Sequence, residues 1–224
     1  GDSNGDLWQS TDGGGTWASV LSEAIVGIDQ DPNGYLWAVS GTEIFRSTDG
    51  SSWSSIQAID AAYQNATCVL CMSNGHIMVG ANNRLYRAIN SNPSYWYSSP
   101  IPLTVAGLIE LSNGDVYAYG HYGIYRVSDA QPGNYFMRCD LIYQYINSIK
   151  QMIQADSGRL YAAFSPVVNY GVYYSDNLGY TWRLDSNINP LSIFQSSTGS
   201  LYAGLSGYNF AIYKKPAPTE VTLG

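Results

Sequence analysis

The chain has 224 residues, 45% of them hydrophobic and only 12% charged, with a formal charge of −7. That length suits a single all-β domain, and the apolar share rules out a disordered polar chain. The negative charge argues against a nucleic-acid partner, which needs a basic face, and no run of 18 apolar residues is present to insert in a membrane as a helix.

The N-terminus, Gly1-Asp2-Ser3-Asn4-Gly5, lacks the basic and apolar regions of a signal peptide. Leu7-Trp8-Gln9 reads as a short strand, followed by the polar turn Ser10-Thr11-Asp12-Gly13-Gly14-Gly15-Thr16-Trp17. An apolar strand then leads into Asn33-Gly34, and the alternating run Tyr35-Leu36-Trp37-Ala38-Val39 leaves it. Ile44-Phe45-Arg46 and the turn Ser47-Thr48-Asp49-Gly50-Ser51-Ser52-Trp53 complete a unit, and the order then repeats. The polar-plus-Gly turn returns at Asn74-Gly75, Asn113-Gly114, Ser157-Gly158 and Thr198-Gly199, with spacings of 41, 39, 44 and 41 residues. Asn-Gly tolerates positive φ at both central positions, so each copy predicts a two-residue type I′ hairpin. Counterparts of Ile44-Phe45-Arg46 follow at Leu85-Tyr86-Arg87, Ile124-Tyr125-Arg126, Val172-Tyr173-Tyr174 and Ile212-Tyr213-Lys214. Trp17, Trp53, Trp96, Phe136 and Trp182 close the polar turns.

Each period therefore holds four short strands, A to D, in roughly 40 residues, the length of a propeller blade. One such sheet cannot bury both faces, so neighbours must stack around an axis. The prediction is an all-β β-propeller of about five four-stranded antiparallel blades over residues 1–215, with six blades, one incomplete, as the alternative. The N-terminal D strand near Trp17, or a tail strand Glu220-Val221-Thr222-Leu223, is expected to complete the last blade. Residues 216–224 read as a tail or linker, because the prolines of Lys214-Lys215-Pro216-Ala217-Pro218 disfavour continued structure. A larger parent protein is the expectation.

Three cysteines, Cys68, Cys71 and Cys139, exclude a fully paired disulfide set within the chain. Cys68 and Cys71 lie three apart in an apolar run that reads as a strand, so they face opposite sides and fit buried small hydrophobes better than a zinc pair. No metal and no cofactor is expected.

Ser10-Thr11-Asp12-Gly13-Gly14-Gly15-Thr16-Trp17 fits S-x-D-x-G-x-T-W, and Ser175-Asp176-Asn177-Leu178-Gly179-Tyr180-Thr181-Trp182 fits it except for Asn177 in place of Asp. Ser47, Asp49 and Trp53 belong to a shortened form, with decayed copies at Ser128–Phe136 and Asn90–Trp96. These turns resemble the Asp-box, or BNR, repeats of the sialidase-like propeller superfamily. Ser and Asp side chains bond turn amides, Gly takes the left-handed position, and Trp is expected to pack beneath the hairpin. The resemblance implies that Ser10, Asp12, Gly14, Trp17, Ser47, Asp49, Trp53, Ser175, Asn177 and Trp182 are folding devices rather than catalysts.

Resemblance to sialidases also implies an arginine triad, one arginine within Arg-Ile-Pro or Arg-Leu-Pro, with a Tyr/Glu nucleophile pair and an acid/base Asp. Neither tripeptide occurs here. Arg46, Arg87 and Arg126 share a repeat slot with Tyr174 and Lys214, so repetition explains them. A glycosidase needs two carboxyl groups across one cleft, and no motif selects a pair. The expectation is no catalytic residue, with a divergent sialidase-like glycoside hydrolase as the alternative. An assembly factor of the photosystem-stability type shares such boxes, but the charge of −7 opposes the basic patch that type presents.

In a blade, A–B and C–D turns fall at one end, and B–C and D–A connections at the other. The second end is expected to carry longer, more varied loops, where recognition usually sits on a rigid scaffold. It would gather Glu43, Asn82, Arg84, His121, Tyr122, Asn169, Tyr170 and Tyr208 from the B–C connections. The D–A connections add Asp60, Tyr63, Gln64, Tyr97, Tyr143, Tyr145 and Asp185. Rings beside Asn, Arg and acids suit a glycan or a protein partner. The resulting reading is a non-catalytic recognition or assembly module, extracellular, on a cell surface or on a virion such as a phage.

Overall fold

The structure is a computed structural model that describes residues 5–58, 65–88, 96–129, 137–165, 170–205 and 212–215. Every regular element among them is a strand. β1 (Asp6–Gln9) and β2 (Ala18–Ser22) form a two-stranded antiparallel sheet. Unit I follows as a four-stranded meander of β3 (Ile25–Gln30), β4 (Leu36–Ser40), β5 (Glu43–Ser47) and β6 (Trp53–Ala58).

After β7 (Cys68–Cys71), long strands serve two positions each. β8 (Ile77–Ala88) supplies strands B and C of unit II, and β9 (Tyr97–Glu110) supplies D of unit II and A of unit III. β10 (Val116–Asp129) and β11 (Met137–Gln154) repeat this for units III and IV. β12 (Leu160–Ser165), β13 (Gly171–Ser175) and β14 (Arg183–Ser186) complete unit IV. Among the described residues unit V has three strands, β15 (Pro190–Gln195), β16 (Leu201–Leu205) and β17 (Ile212–Lys215).

The repeat is as the sequence implies, but two expectations are corrected. β2 pairs with β1 and not with β17, so the N-terminal strand does not complete unit V. The tail strand proposed for that role lies outside the described residues. The five A–B turns are also not type I′. Each is a three-residue loop: Gly34 N donates to Asp31 O at 2.9 Å while Asp31 N donates to Tyr35 O at 2.9 Å, and the other four repeat this. Positive φ falls on Gly34, Gly75, Gly114, Gly158 and Gly199, and on none of the residues before them. That is the type I turn with a glycine bulge, which needs one left-handed residue instead of two.

Four apolar clusters form the core, one at each junction between units I and V. Strand B alternates to make them: Trp37 and Val39 face unit II, and Ile77 and Val79 belong to the same cluster from the other side. Amide clasps cross three of these junctions. Ser73 N donates to Glu110 Oε2 at 2.7 Å, Ser112 N to Gln154 Oε1 at 2.6 Å, and Asp156 N to Gln195 Oε1 at 2.9 Å. At the first junction Pro32 stands in the donor position and has no N–H; there Cys71 N donates to Asp29 Oδ2 at 2.8 Å.

Cys68, Cys71 and Cys139 are free and half-buried, with Cys71 in the cluster between units I and II and Cys68 in the next. Burial pushes the Cys68 and Cys139 thiols up to about 11, and raises Cys71 further with help from Asp29 and Asp31.

Candidate functional site

Side chains of the Ser10–Trp17, Ser47–Trp53 and Ser175–Trp182 turns bond the backbone of the same turn. Ser10 Oγ accepts from Gly14 N at 2.7 Å, Asp12 Oδ1 accepts from Thr16 N at 2.8 Å, and Trp17 Nε1 donates to Gly14 O at 3.2 Å. Ser47, Asp49 and Trp53 repeat the pattern with Gly50 N, Ser52 N and Gly50 O. Ser175, Asn177 and Trp182 do so with Gly179 N, Thr181 N and Gly179 O, so the Asn carbonyl replaces a carboxylate oxygen without loss of geometry. Bonds from the Thr16 amide and hydroxyl and from Ser10 hold Asp12 down to about 2. Trp17 makes the same bond to its turn as Trp53 and Trp182 but is 60% exposed, in a sheet of two strands among the described residues.

The opposite end carries the candidate recognition residues, and register places them together there. Glu43 faces Ala58, Asn82 faces Thr104, His121 faces Ser148 and Val172 faces Ser186. Among the described residues, the connections at this end are tighter than expected. In units II and III the B–C links are bulged bends inside β8 and β10, and the D–A links lie inside β9 and β11. Unit I uses the two-residue link Gly41-Thr42, fixed by Ser40 Oγ, which accepts from Thr42 N and Glu43 N.

The bends differ in what they expose. Asn83 and Tyr122 occupy equivalent positions and both take positive φ, 55° and 75°. Asn tolerates this conformation, whereas for a bulky ring it is an outlier. Tyr122 is 57% exposed and stacks on His121 with centroids 4.0 Å apart and planes 4° from parallel. His121 Nδ1 is buried with no hydrogen-bond partner among the described residues. Arg84 Nη1 donates to Ser98 Oγ at 2.8 Å, and Tyr170 is an exposed ring on the same end. Tyr143 and Asp185 are half-buried in strands, not loops, and Tyr97 is half-buried opposite Arg87 at the start of β9, which corrects its expected place: it lies at the C–D end and not with the D–A connections. Asn169, Tyr208, Asp60, Tyr63 and Gln64, and the side chain of Tyr145, lie outside the described residues.

Sequence reasoning missed a cleft of about 570 Å³ at the tight-turn end, between units IV and V. Asp156, Arg159, Tyr161, Asp176, Gln195 and Leu201 line it. Arg159 Nε meets Asp176 Oδ1 at 2.6 Å and the guanidinium lies 4.5 Å over the Tyr174 ring; Tyr161 and Asp176 hold the group charged. One junction earlier the equivalent notch is closed, because Tyr117 OH donates to Leu178 O at 2.9 Å. Among the described residues no group of three His, Cys, Asp or Glu is placed to hold a metal, and no helix is long and apolar enough to cross a membrane.

Stacked four-stranded meanders in this order define a β-propeller, and solved structures agree. A structure of YCF48 bound to D1 peptide superposes with a TM-score of 0.69 at 19% identity, covering 97% of this chain and 73% of that one. Virginiamycin B lyase from Staphylococcus aureus gives 0.64 at 16% identity, covering 88% and 71%. The extracellular domain of the putative one component system BT4673 from B. thetaiotaomicron gives 0.68 at 14%, covering 94% and 30%. At these identities the likeness shows the fold. No family model matches the chain, and no curated protein matches its sequence.

Proposed function

We propose that this propeller is a non-catalytic recognition module of the Asp-box kind, which binds a glycan or a polypeptide through the end carrying the B–C and D–A connections. The observation that carries the reading is Tyr122. A ring held in the left-handed region, exposed, and stacked on His121 costs the fold energy that packing does not return, as functional sites often do. Paired rings on the same end as Arg84 and Tyr170 suit sugar faces or an extended peptide. YCF48, similar in fold, has been captured with a peptide, which supports a binding role, and the BT4673 domain is extracellular, which supports a place outside the cell.

The test is a screen of the purified chain against arrayed glycans and a random peptide library, with hydrolysis of the array sugars followed in parallel. Saturable binding without turnover is expected. Turnover of any sugar would overturn the non-catalytic reading and direct attention to the carboxylates of the cleft, Asp156 and Asp176.

A further inference from the structure

Three of the A–B turns carry Asn-Gly at their tips, Asn33-Gly34, Asn74-Gly75 and Asn113-Gly114, and all three asparagines are exposed. The pair is chemically reactive, because glycine has no side chain to shield its amide nitrogen from the carbonyl carbon of the preceding side chain. In each turn the fold restrains that reaction. The glycine N–H is taken up by a carbonyl three residues back, Asp31 O at 2.9 Å, Met72 O at 2.9 Å or Leu111 O at 2.8 Å. The third position of a type I turn also has ψ near about 0°, which holds the next nitrogen away from the asparagine side chain. Reaction therefore requires the turn to open locally.

The three turns differ in what resists opening. Around Asn33, the buried Asp31 carboxylate accepts from Asn33 N at 2.9 Å and Tyr35 N at 3.1 Å, and Gln30 Nε2 donates to Gly34 O at 3.1 Å. At Asn113, Nδ2 donates to Asp115 Oδ2 at 2.9 Å while Oδ1 accepts from Asp115 N at 3.0 Å, so both ends of the side-chain amide are held. At Asn74, Oδ1 accepts from His76 N at 3.0 Å, but Nδ2 has no hydrogen-bond partner among the described residues. Cys71 occupies the position of Gln30, so that position offers Gly75 O no amide donor. Upstream, the Glu110 carboxylate clamps Ser73 through its amide and its hydroxyl, both at 2.7 Å. That clamp fixes the residue before Asn74, whereas the bonds that must rotate lie after it.

We propose that Asn74-Gly75 is a self-modifying site, the Asn-Gly pair at which the folded chain deamidates first. Hydroxide removes the Gly75 amide proton, the nitrogen bonds to Asn74 Cγ, and the Cγ–Nδ2 bond breaks as ammonia leaves with a proton from water. Water then opens the five-membered imide at either carbonyl, giving isoaspartate or aspartate. One water enters and one ammonia leaves; nothing is oxidised or reduced. Isoaspartate puts an extra carbon into the backbone of a three-residue loop and a new carboxylate next to Ser73, whose clasp to Glu110 joins units II and III. The product therefore carries a loosened junction. The site belongs to a tight turn, and the proposal is independent of the Tyr122 reading.

The test is incubation of the chain at pH 8, folded and in urea, with peptide mapping by mass spectrometry at intervals. In the folded chain Asn74 is expected to convert at least threefold faster than Asn33 or Asn113, and in urea the three rates are expected to converge. Asp115→Ala, which frees Asn113 Nδ2, is expected to raise the folded-state rate at Asn113 at least threefold, with unchanged far-UV circular dichroism confirming that the variant folds. The isoaspartyl product, isolated by anion exchange, is expected to melt below the parent chain. A lead by Asn33 or Asn113, a lead of Asn74 that persists in urea, or an Asn113 rate indifferent to Asp115→Ala overturns the assignment. An unchanged melting temperature of the product overturns the loosened junction.

Discussion

Replacing Asp31 with alanine tests how the A–B turn is welded to the core. Asp31 is 3% exposed, and its carboxylate accepts from Asn33 N at 2.9 Å, Tyr35 N at 3.1 Å and Trp37 Nε1 at 3.1 Å. Trp37 is fully buried, so its orphaned N–H has no water to turn to and costs about 1–3 kcal/mol. The two loop amides lie nearer solvent and add about 1 kcal/mol together. A loss of about 3 kcal/mol lowers Tm by about 6–12 °C in a chain of this size. Thermal melts followed by far-UV circular dichroism read the shift. In a Trp37→Phe background the same change should cost about 1–2 kcal/mol less, because the buried donor is gone. A shift below about 1 °C, or equal costs in both backgrounds, would refute the reasoning.

Three further outcomes follow from the geometry. Asp12 lies below the ordinary carboxylate value, so its bonds are complete above about pH 4 and are lost only as pH falls through about 2. The Thr16 amide resonance should titrate with a midpoint near 2, whereas Thr181 N, bonded to Asn177, should show no such step. The raised thiols of Cys68, Cys71 and Cys139 should react with a disulfide reagent at pH 8 far more slowly in the folded chain than in urea; equal rates would contradict their burial. Tyr122→Asn, which copies Asn83 of the preceding unit, should raise stability by up to about 1 kcal/mol in urea unfolding while weakening ligand binding.

Much of the fold was legible because its determinants are local. Turn glycines at a fixed spacing and strands of period two mark the unit, and a Ser/Asp/Gly/Trp set names its own hydrogen bonds. The turn type was misread because Asn33 permits positive φ without requiring it; the single left-handed residue is Gly34. The clasps needed three dimensions, although Glu110, Gln154 and Gln195 share one offset from the turn and form a visible column once the partner amide is known. Closure was not legible, since which strand β2 joins depends on a contact between chain ends. Strand order alone placed Glu43, Asn82, Arg84, His121, Tyr122 and Tyr170 at the end of their units where the structure has them. It gave no hint of the ring stack at His121, which depends on the backbone angle at Tyr122, nor of the cleft.

The most direct test of the central claim is the binding of array and library hits by the double variant Tyr122→Ala, Arg84→Ala beside the unaltered chain. The account predicts that glycan or peptide signals retained by the unaltered chain fall at least tenfold in the variant, with its melting temperature preserved. Undiminished signals would contradict it and move recognition away from the B–C and D–A end.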